Sequence, residues 1–291
     1  MNDSYTKKPI WLKIKLSWNE NYRQVKKLMS TAGLNTVCQE ANCPNMRECF
    51  GNLTATFLIL GKICTRDCAF CSIQKGIPLE PDPAEPAKLA NAVRTFNLKY
   101  VVITSVTRDD LEDGGASVFA QTIYEIKKTN PQVMVEVLIP DFRGLRESLE
   151  IVLKAKPHVL NHNLETVKHL YPLVRKDADY HRSLEILHRA KDYSKDLTTK
   201  SGVMLGLGEK QEEIVELMND LKKAKCDLLT IGQYLSPSTH HLPTERYYTP
   251  QEFEELRNVG LKLGFLDVHS GPLVRSSYLA HQLLSRIYPV S

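Results

Sequence analysis

Six of the seven cysteines in the sequence lie close together, and their spacing is the feature best suited to chemistry. They form two triplets, Cys38-x4-Cys43-x5-Cys49 and Cys64-x3-Cys68-x2-Cys71. Structural zinc normally takes four protein ligands, so three thiolates in each group are one too few for a closed zinc site. A [4Fe–4S] cluster held by three cysteines keeps one iron without a protein thiolate, and that iron can bind a substrate. The two triplets therefore predict two clusters, each with an iron available for chemistry.

Composition and charge limit the class of protein. The chain has 291 residues, of which 42% are hydrophobic and 25% charged, as in an ordinary globular protein of one large domain or two small ones. No run of 18 apolar residues predicts a membrane-spanning helix, and Lys13 and Lys15 interrupt the apolar stretch that a secretory signal would need. We therefore expect a cytoplasmic protein that does not act on membranes, in which clustered cysteines bind metal or do catalysis. The net charge of +4 is too small to predict a nucleic-acid partner.

Positive charge is concentrated at the N-terminus. Residues 1–30 carry seven Lys and Arg against Asp3 and Glu20. This segment is either a solvated basic arm or a docking surface for an acidic protein partner.

Short β-branched runs alternate with helical patterns along the chain, which predicts βα units around a parallel sheet. The predicted strands cover residues 54–60, 100–104, 133–139, 158–163, 202–208 and 227–234, with a short extended piece at 265–270. The segment Thr249-Pro250-Gln251-Glu252 is typical of a helix N-terminus, with a capping threonine, a proline at the first position and a glutamate at the third.

Six βα units are two short of a complete eight-fold barrel. We predict an α/β fold, an incomplete (β/α)6 TIM-type barrel with an N-terminal cluster-binding extension and a C-terminal extension. The expected boundaries are 1–50 for the N-terminal extension, 51–270 for the partial barrel and 271–291 for the C-terminal extension. Active sites of β/α barrels lie on loops after the C-terminal ends of the strands. The second cysteine triplet follows the first predicted strand, where that rule places the chemistry.

In this context the second triplet resembles the signature of the radical S-adenosylmethionine (SAM) superfamily. The resemblance implies a [4Fe–4S] cluster held by Cys64, Cys68 and Cys71, with SAM bound to the fourth iron. Reductive cleavage of SAM would give a 5′-deoxyadenosyl radical that abstracts hydrogen from unactivated C–H bonds. The cofactor carries the difficult step, and the protein supplies orientation and excludes water. The alternative is a zinc knuckle that uses only Cys68-x2-Cys71.

Residues near the cluster loop and at predicted strand ends are candidates for SAM contacts. The polar candidates are Ser105, Thr107, Arg108, Asn161 and Asn163. Phe70, inside the triplet, either packs on the adenine of SAM or anchors the loop in the core. Gly206-Leu207-Gly208-Glu209, at the end of the fifth predicted strand, allows either a close approach of the backbone to a ligand or a plain turn.

The first triplet narrows the resemblance to the lipoyl synthase family. The similarity extends over roughly residues 35–285. Its motifs include NCPNMRECF (42–50), CTRDCAFCSIQKG (64–76), VVITSVTRDDLEDGGA (101–116), NHNLETV (161–167), MLGLGE (204–209) and GPLVRSSY (271–278).

The family implies a second, auxiliary [4Fe–4S] cluster. It would be held by Cys38, Cys43 and Cys49, with a serine of Arg275-Ser276-Ser277-Tyr278 as the fourth ligand. We favour Ser277, and Ser276 is the alternative. Irons in such clusters favour soft thiolates, so a hard oxygen ligand should be the weakest bond, which suits a cluster that opens to surrender sulfur. The two serines could equally be a helix N-cap pair, and both roles can hold at once.

The resemblance implies a sulfurtransferase of lipoate biosynthesis. Two successive cleavages of SAM would remove hydrogens at C6 and C8 of a protein-bound octanoyl group, and the auxiliary cluster would donate the sulfur. The implied partners are the carrier domains of 2-oxoacid dehydrogenase complexes (E2), the glycine-cleavage H protein, a ferredoxin or flavodoxin as electron donor, and iron–sulfur assembly proteins.

Two other classes of protein share part of this pattern. A methylthiotransferase or biotin synthase would keep the SAM triplet but is not expected to combine the first triplet with Arg275-Ser276-Ser277-Tyr278. An iron–sulfur electron carrier would need only the cysteines and would leave the barrel-sized chain unexplained. The seventh cysteine, Cys226, lies between a helix and the sixth predicted strand, and we expect it to be a buried structural thiol.

Overall fold

The structure is a computed structural model that describes residues 8–13, 20–52 and 54–280. Much of the predicted basic arm, including Lys7 and Lys15, lies outside the described residues, as does the end of the C-terminal extension from residue 281 onward. The strands are β1 (Asn35–Thr36), β2 (Thr56–Ile59), β3 (Ile63–Cys64), β4 (Gln74–Lys75), β5 (Tyr100–Ser105), β6 (Met134–Leu138), β7 (Val159–Asn161), β8 (Thr198–Leu205), β9 (Leu228–Gln233) and β10 (Asp267–Gly271).

Helices connect and flank these strands. They are α1 (Glu20–Ala32), α2 (Val37–Glu40), α3 (Met46–Gly51), α4 (Glu85–Thr95), α5 (Ala116–Thr129), α6 (Arg146–Lys154), α7 (Tyr171–Val174), α8 (Tyr180–Tyr193), α9 (Gln211–Lys223) and α10 (Pro250–Lys262). The predicted start of α10 is confirmed, because Thr249 accepts a hydrogen bond from the Glu252 N–H at 3.3 Å and Glu252 accepts one from the Thr249 N–H at 2.8 Å. No helix among the described residues is long and apolar enough to cross a bilayer.

Eight strands form one sheet in the order β1-β2-β5-β6-β7-β8-β9-β10. All neighbours pair in parallel except β1, which is antiparallel to β2. In the described part of the chain no pairing joins the edge strands β1 and β10, so the barrel stays open. The predicted incomplete α/β barrel is confirmed.

The details of the sheet differ from the prediction in three places. The extended piece near residue 267 is a full parallel strand, β10, and β1 extends the other edge of the sheet. Strand β8 begins at Thr198, earlier than predicted. The prediction started too late because the first residues of this strand are polar, although they are buried. Helix α8 was not predicted; it begins where Asp179 accepts a hydrogen bond from the Arg182 N–H at 2.7 Å.

The two faces of the sheet differ in chemistry. Val101, Ile103 and Val135 are fully buried in the apolar core. On the inner face, Lys200 of β8 donates to Glu136 of β6 at 2.9 Å. Successive side chains of a strand point to opposite faces, so Glu136 lies on the face opposite to the core residue Val135, and this ion pair faces the interior of the barrel. The interior is therefore polar, which suits a site for a polar ligand rather than a purely packed core.

Candidate functional site

The second cysteine triplet lies on a closed loop between two short parallel strands. Cys64 ends β3, and Cys68 and Cys71 follow on the loop that leads to β4. Two backbone hydrogen bonds fix this loop, from the Thr65 N–H to the Thr107 carbonyl at 3.1 Å and from the Ala69 N–H to the Val174 carbonyl at 3.0 Å. The loop is therefore held beside the C-terminal end of β5, as the barrel rule predicts.

A buried arginine inside the triplet ties the loop to two neighbouring strand ends. Arg66 donates to Asp109 after β5 and to Asp141 after β6, each at 2.6 Å. Burial by itself would lower the pKa of Arg66, but hydrogen bonds to the two carboxylates raise it above its ordinary value. Burial would likewise raise the pKa of Asp141, whereas the hydrogen bond from Arg66 helps to lower it to about 2. Both groups are therefore charged at neutral pH, and their ion pairs position the loop.

Replacing this arginine should be costly for stability. We expect Arg66→Ala to lower the free energy of unfolding by about 3 kcal/mol, because it removes the 2.6 Å ion pair of the buried Asp141 carboxylate. That carboxylate keeps only weaker support, a 3.2 Å contact to Arg182 and a 3.0 Å hydrogen bond from the Arg143 N–H. Denaturant unfolding would measure the loss. Adding Asp141→Asn should recover part of it, since the two residues are directly coupled. The control Arg146→Ala removes an exposed ion pair with Glu150 and should cost less than about 1 kcal/mol; equal losses for both arginines would contradict the role of Arg66.

The first triplet and the C-terminal motif line a single cavity. Cys38 lies on α2, Cys49 on α3 and Cys43 between them, and all three border the same cavity. Ser277 borders the same cavity, whereas Ser276 is not among the lining residues. All seven cysteines are free thiols. Cys226 is fully buried, as predicted for a structural thiol.

The C-terminal segment is held against the cysteine-bearing extension by two long-range hydrogen bonds. Asn45 donates from Nδ2 to the Leu273 carbonyl at 2.6 Å, and the Tyr278 hydroxyl donates to Glu48 Oε1 at 2.9 Å. The motif itself forms a turn, closed by the Tyr278 N–H on the Arg275 carbonyl at 3.0 Å. Two segments more than 200 residues apart in sequence thus build one site.

The chemistry of the donors fits iron–sulfur clusters. Burial raises the pKa of Cys38 to about 11, of Cys49 to about 12 and of Cys71 to about 12, with neighbouring thiols of the same triplet adding to each shift. Each thiol is therefore neutral at pH 7 and must release a proton when metal binds. Among the described residues no three His, Cys, Asp or Glu converge on a single ion. A [4Fe–4S] cluster has a different requirement, since its thiolates bind different irons.

Three of the predicted SAM-contact residues present buried polar atoms that make no hydrogen bond in the described part of the chain. These atoms are Ser105 Oγ, Asn161 Oδ1 and Asn163 Oδ1, and His162 Nε2, Thr166 Oγ1 and Arg175 Nε share this property. Buried polar groups are normally paired, so a group of unpaired ones at the ends of β5 and β7 fits a bound polar ligand. Burial lowers the pKa of His162 to about 4, so its imidazole is neutral.

The other predicted SAM contacts have partners within the protein. Arg108 is buried and donates to Asp110 at 2.8 Å and to the Leu60 carbonyl at 3.4 Å. Phe70 is partly buried and packs against the core. The Thr107 carbonyl accepts from the Cys64–Cys71 loop, as described above. In the Gly206–Glu209 segment, Glu209 accepts from the Gly206 N–H at 2.6 Å, which closes a turn. Contacts of these residues with SAM stay a prediction.

A chain of charged side chains links the two cysteine triplets. Burial raises the pKa of Glu165, and the guanidinium groups of Arg175 and Arg275 oppose that shift. Arg275 also lies near enough to Cys43 to counteract the effect of burial on its thiol pKa, and Arg175 does the same for Cys68. Sequence reasoning missed Glu165 and Arg175. Glu165 lies just after the fourth strand, where a ligand contact could have been expected, whereas Arg175 follows α7.

Comparison with known proteins agrees with this geometry. The Radical SAM superfamily model matches residues 58–221. The lipoyl synthase of Caldicellulosiruptor saccharolyticus is 55% identical over 95% of this chain and 97% of its own length, and that of Geobacillus kaustophilus is 52% identical over 97% and 95%. The structure of Streptococcus suis SuiB bound to precursor peptide SuiA shares the fold, with a TM-score of 0.58 at 12% identity, covering 88% of this chain and 55% of that one. The chain therefore belongs to the radical SAM superfamily and, within it, to the lipoyl synthase family of enzymes.

Proposed function

We propose that this enzyme inserts two sulfur atoms, at C6 and C8, into an octanoyl group carried on a lysine of a lipoyl carrier domain. The observation that carries the proposal is the donor set of one cavity, in which three cysteine thiols lie together with the hydroxyl of Ser277. Three soft donors and one hard oxygen would leave a cluster with one weak bond, as a cluster that gives up sulfur requires. Relatives over nearly the whole length of the chain are lipoyl synthases, which supports the same reaction.

Each cysteine triplet has its own role in this proposal. Cys64, Cys68 and Cys71 would hold the [4Fe–4S] cluster that binds SAM, and Cys38, Cys43, Cys49 and Ser277 would hold the auxiliary cluster. When bound, SAM and its cluster supply a 5′-deoxyadenosyl radical that removes hydrogen from carbon, and the auxiliary cluster supplies sulfur as a substrate of the reaction.

The chain's own residues would orient the reactants and keep water out. The unpaired atoms of Ser105, Asn161 and Asn163 are available to hydrogen-bond SAM at the strand ends. Beside the thiols of the first triplet, Val102 and Leu279 provide apolar lining that suits an acyl chain. The ion pairs of Arg66 would keep the SAM-cluster loop in one position relative to these groups.

The partners and location follow from the same proposal. The acyl donors would be the carrier domains of 2-oxoacid dehydrogenases and the glycine-cleavage H protein, with a ferredoxin or flavodoxin for electrons and assembly proteins to rebuild the consumed cluster. The reaction would take place in the cytoplasm, where reduced thiols are maintained.

The decisive test is a reaction with a defined substrate. Anaerobically purified enzyme should contain about eight irons per chain, as two cubane clusters require. Incubation with SAM, a reductant and an octanoyl-lysyl peptide should give a peptide that has gained two sulfur atoms, detected by mass spectrometry. About four irons, or SAM cleavage without sulfur in the peptide, would contradict the proposal and favour a one-cluster enzyme.

A glycine beneath the C-terminal segment gives a steric test of the same site. A Cβ built on Gly232 of β9 would lie 2.1 Å from the Val274 carbonyl oxygen, so Gly232→Ala must move the segment that carries Ser277. Displacing a reacting group by about 1 Å can cost about a hundredfold in rate, and we expect a loss of that size in sulfur insertion. Hydrogen exchange of residues 273–280 should accelerate. Unchanged sulfur insertion together with unchanged exchange would contradict the role of this segment.

A further inference from the structure

The hydroxyl of Ser277 is anchored by one residue of the barrel. Thr56, the first residue of β2, donates from Oγ1 to Ser277 Oγ at 2.7 Å, although 221 residues separate the two in sequence. Thr56 is 6% exposed, so water does not compete effectively for this bond. Neither hydroxyl makes another side-chain hydrogen bond among the described residues.

Thr56 also lies beside the cysteine side of the same donor set. Cys38, Cys43 and Cys49 border the cavity of the first triplet together with Thr56 and Ser277. The residue that holds the serine hydroxyl therefore belongs to the lining of the site that the thiols form.

The direction of the hydrogen bond matters for what the serine can do. A serine oxygen that binds iron without its proton can only accept hydrogen bonds, so the Thr56 hydroxyl, 2.7 Å away, must then be the donor. A hydrogen bond to a charged oxygen is stronger than one to a neutral oxygen. It also draws electron density that the oxygen would otherwise give to iron, so the same contact holds Ser277 in place and weakens its bond to the metal.

We propose that Thr56 is a positioning residue that presents Ser277, rather than Ser276, to the auxiliary cluster and makes its oxygen an exchangeable ligand. This inference rests on the proposed function, because it requires a cluster in the cavity of the first triplet. It explains why a threonine stands at the start of an otherwise apolar strand, where Phe57, Leu58 and Ile59 follow it.

The test isolates the auxiliary cluster. In a parent variant in which Cys64, Cys68 and Cys71 are alanine, iron should number about four per chain. Adding Thr56→Val should leave that number unchanged while altering the ⁵⁷Fe Mössbauer signal of the oxygen-bound iron. Thr56→Ser, which keeps the hydroxyl, should restore the parent spectrum. The control Thr122→Val removes a buried hydroxyl of α5 whose one hydrogen bond among the described residues is to the Val118 carbonyl, and it should leave the spectrum unchanged.

The enzyme with both triplets intact gives the second readout. Thr56→Val should form 5′-deoxyadenosine at the normal rate but insert sulfur at least about tenfold more slowly, the cost of one hydrogen bond to a charged group. Thr56→Ser should restore insertion. If Thr56→Val leaves both the Mössbauer spectrum and the rate of sulfur insertion unchanged, the role of Thr56 is wrong and the proposed function stands. A parent variant that binds no iron would overturn the proposed function and this inference with it.

Discussion

Cys68→Ala is expected to abolish cleavage of SAM. The thiol of Cys68 lies on the loop that Thr107 and Val174 fix at the end of β5, and Cys64 of the same triplet is near enough to raise its pKa. Two thiolates are too few to hold a cluster whose fourth iron must stay open for SAM. Chromatography of 5′-deoxyadenosine after incubation with SAM and reductant measures the loss directly.

Iron counting separates loss of one cluster from loss of the fold. Cys68→Ala should keep about four irons per chain, because the first triplet is built from different segments. The matched control is Cys226→Ala, which removes a fully buried thiol that borders neither cluster site and should keep about eight irons and normal cleavage. Cleavage of SAM by Cys68→Ala at the normal rate would contradict the assignment of this triplet.

The architecture could be predicted from the sequence because its signals are local. The apolar β-branched runs at β5 and β6 and the capping residues of α10 each act within a few residues, and each element was observed where it was expected. The start of β8 was missed since Thr198–Ser201 are polar, and a polar run is typical of a loop unless the interior of the barrel is itself polar.

The candidate site was only partly predictable, since its parts meet through topology rather than through sequence spacing. Spacing grouped the thiols of each triplet, but it could not choose between Ser276 and Ser277. That choice depends on how Tyr278 and Leu273 dock on the N-terminal extension, contacts that span about 230 residues. The pairing of Arg66 with Asp141 likewise requires two strand ends to be neighbours, which only the assembled sheet provides.

Cys43→Ala should have the opposite signature to Cys68→Ala, losing sulfur insertion while retaining cleavage of SAM. Cys43 borders the cavity shared with Ser277, and Cys43 and Cys38 both raise the pKa of the Cys49 thiol electrostatically. Without this donor, two thiols and one hydroxyl remain, too few soft ligands to hold a cubane. Mass analysis of the octanoyl-lysyl peptide should show no added sulfur, while 5′-deoxyadenosine continues to form.

The interpretation of Cys43→Ala depends on the charged residues between the triplets. The charge of Arg275 opposes the rise that burial causes in the pKa of Cys43, and it also lowers the pKa of Glu165. The charge of Glu165 in turn raises the pKa of Cys68. Loss of the first cluster should therefore change the reduction potential of the SAM cluster without removing it, since Fe–S potentials respond to nearby charge. Equal loss of SAM cleavage and sulfur insertion in Cys43→Ala, with fewer than about four irons remaining, would show that the two triplets do not act as separate sites.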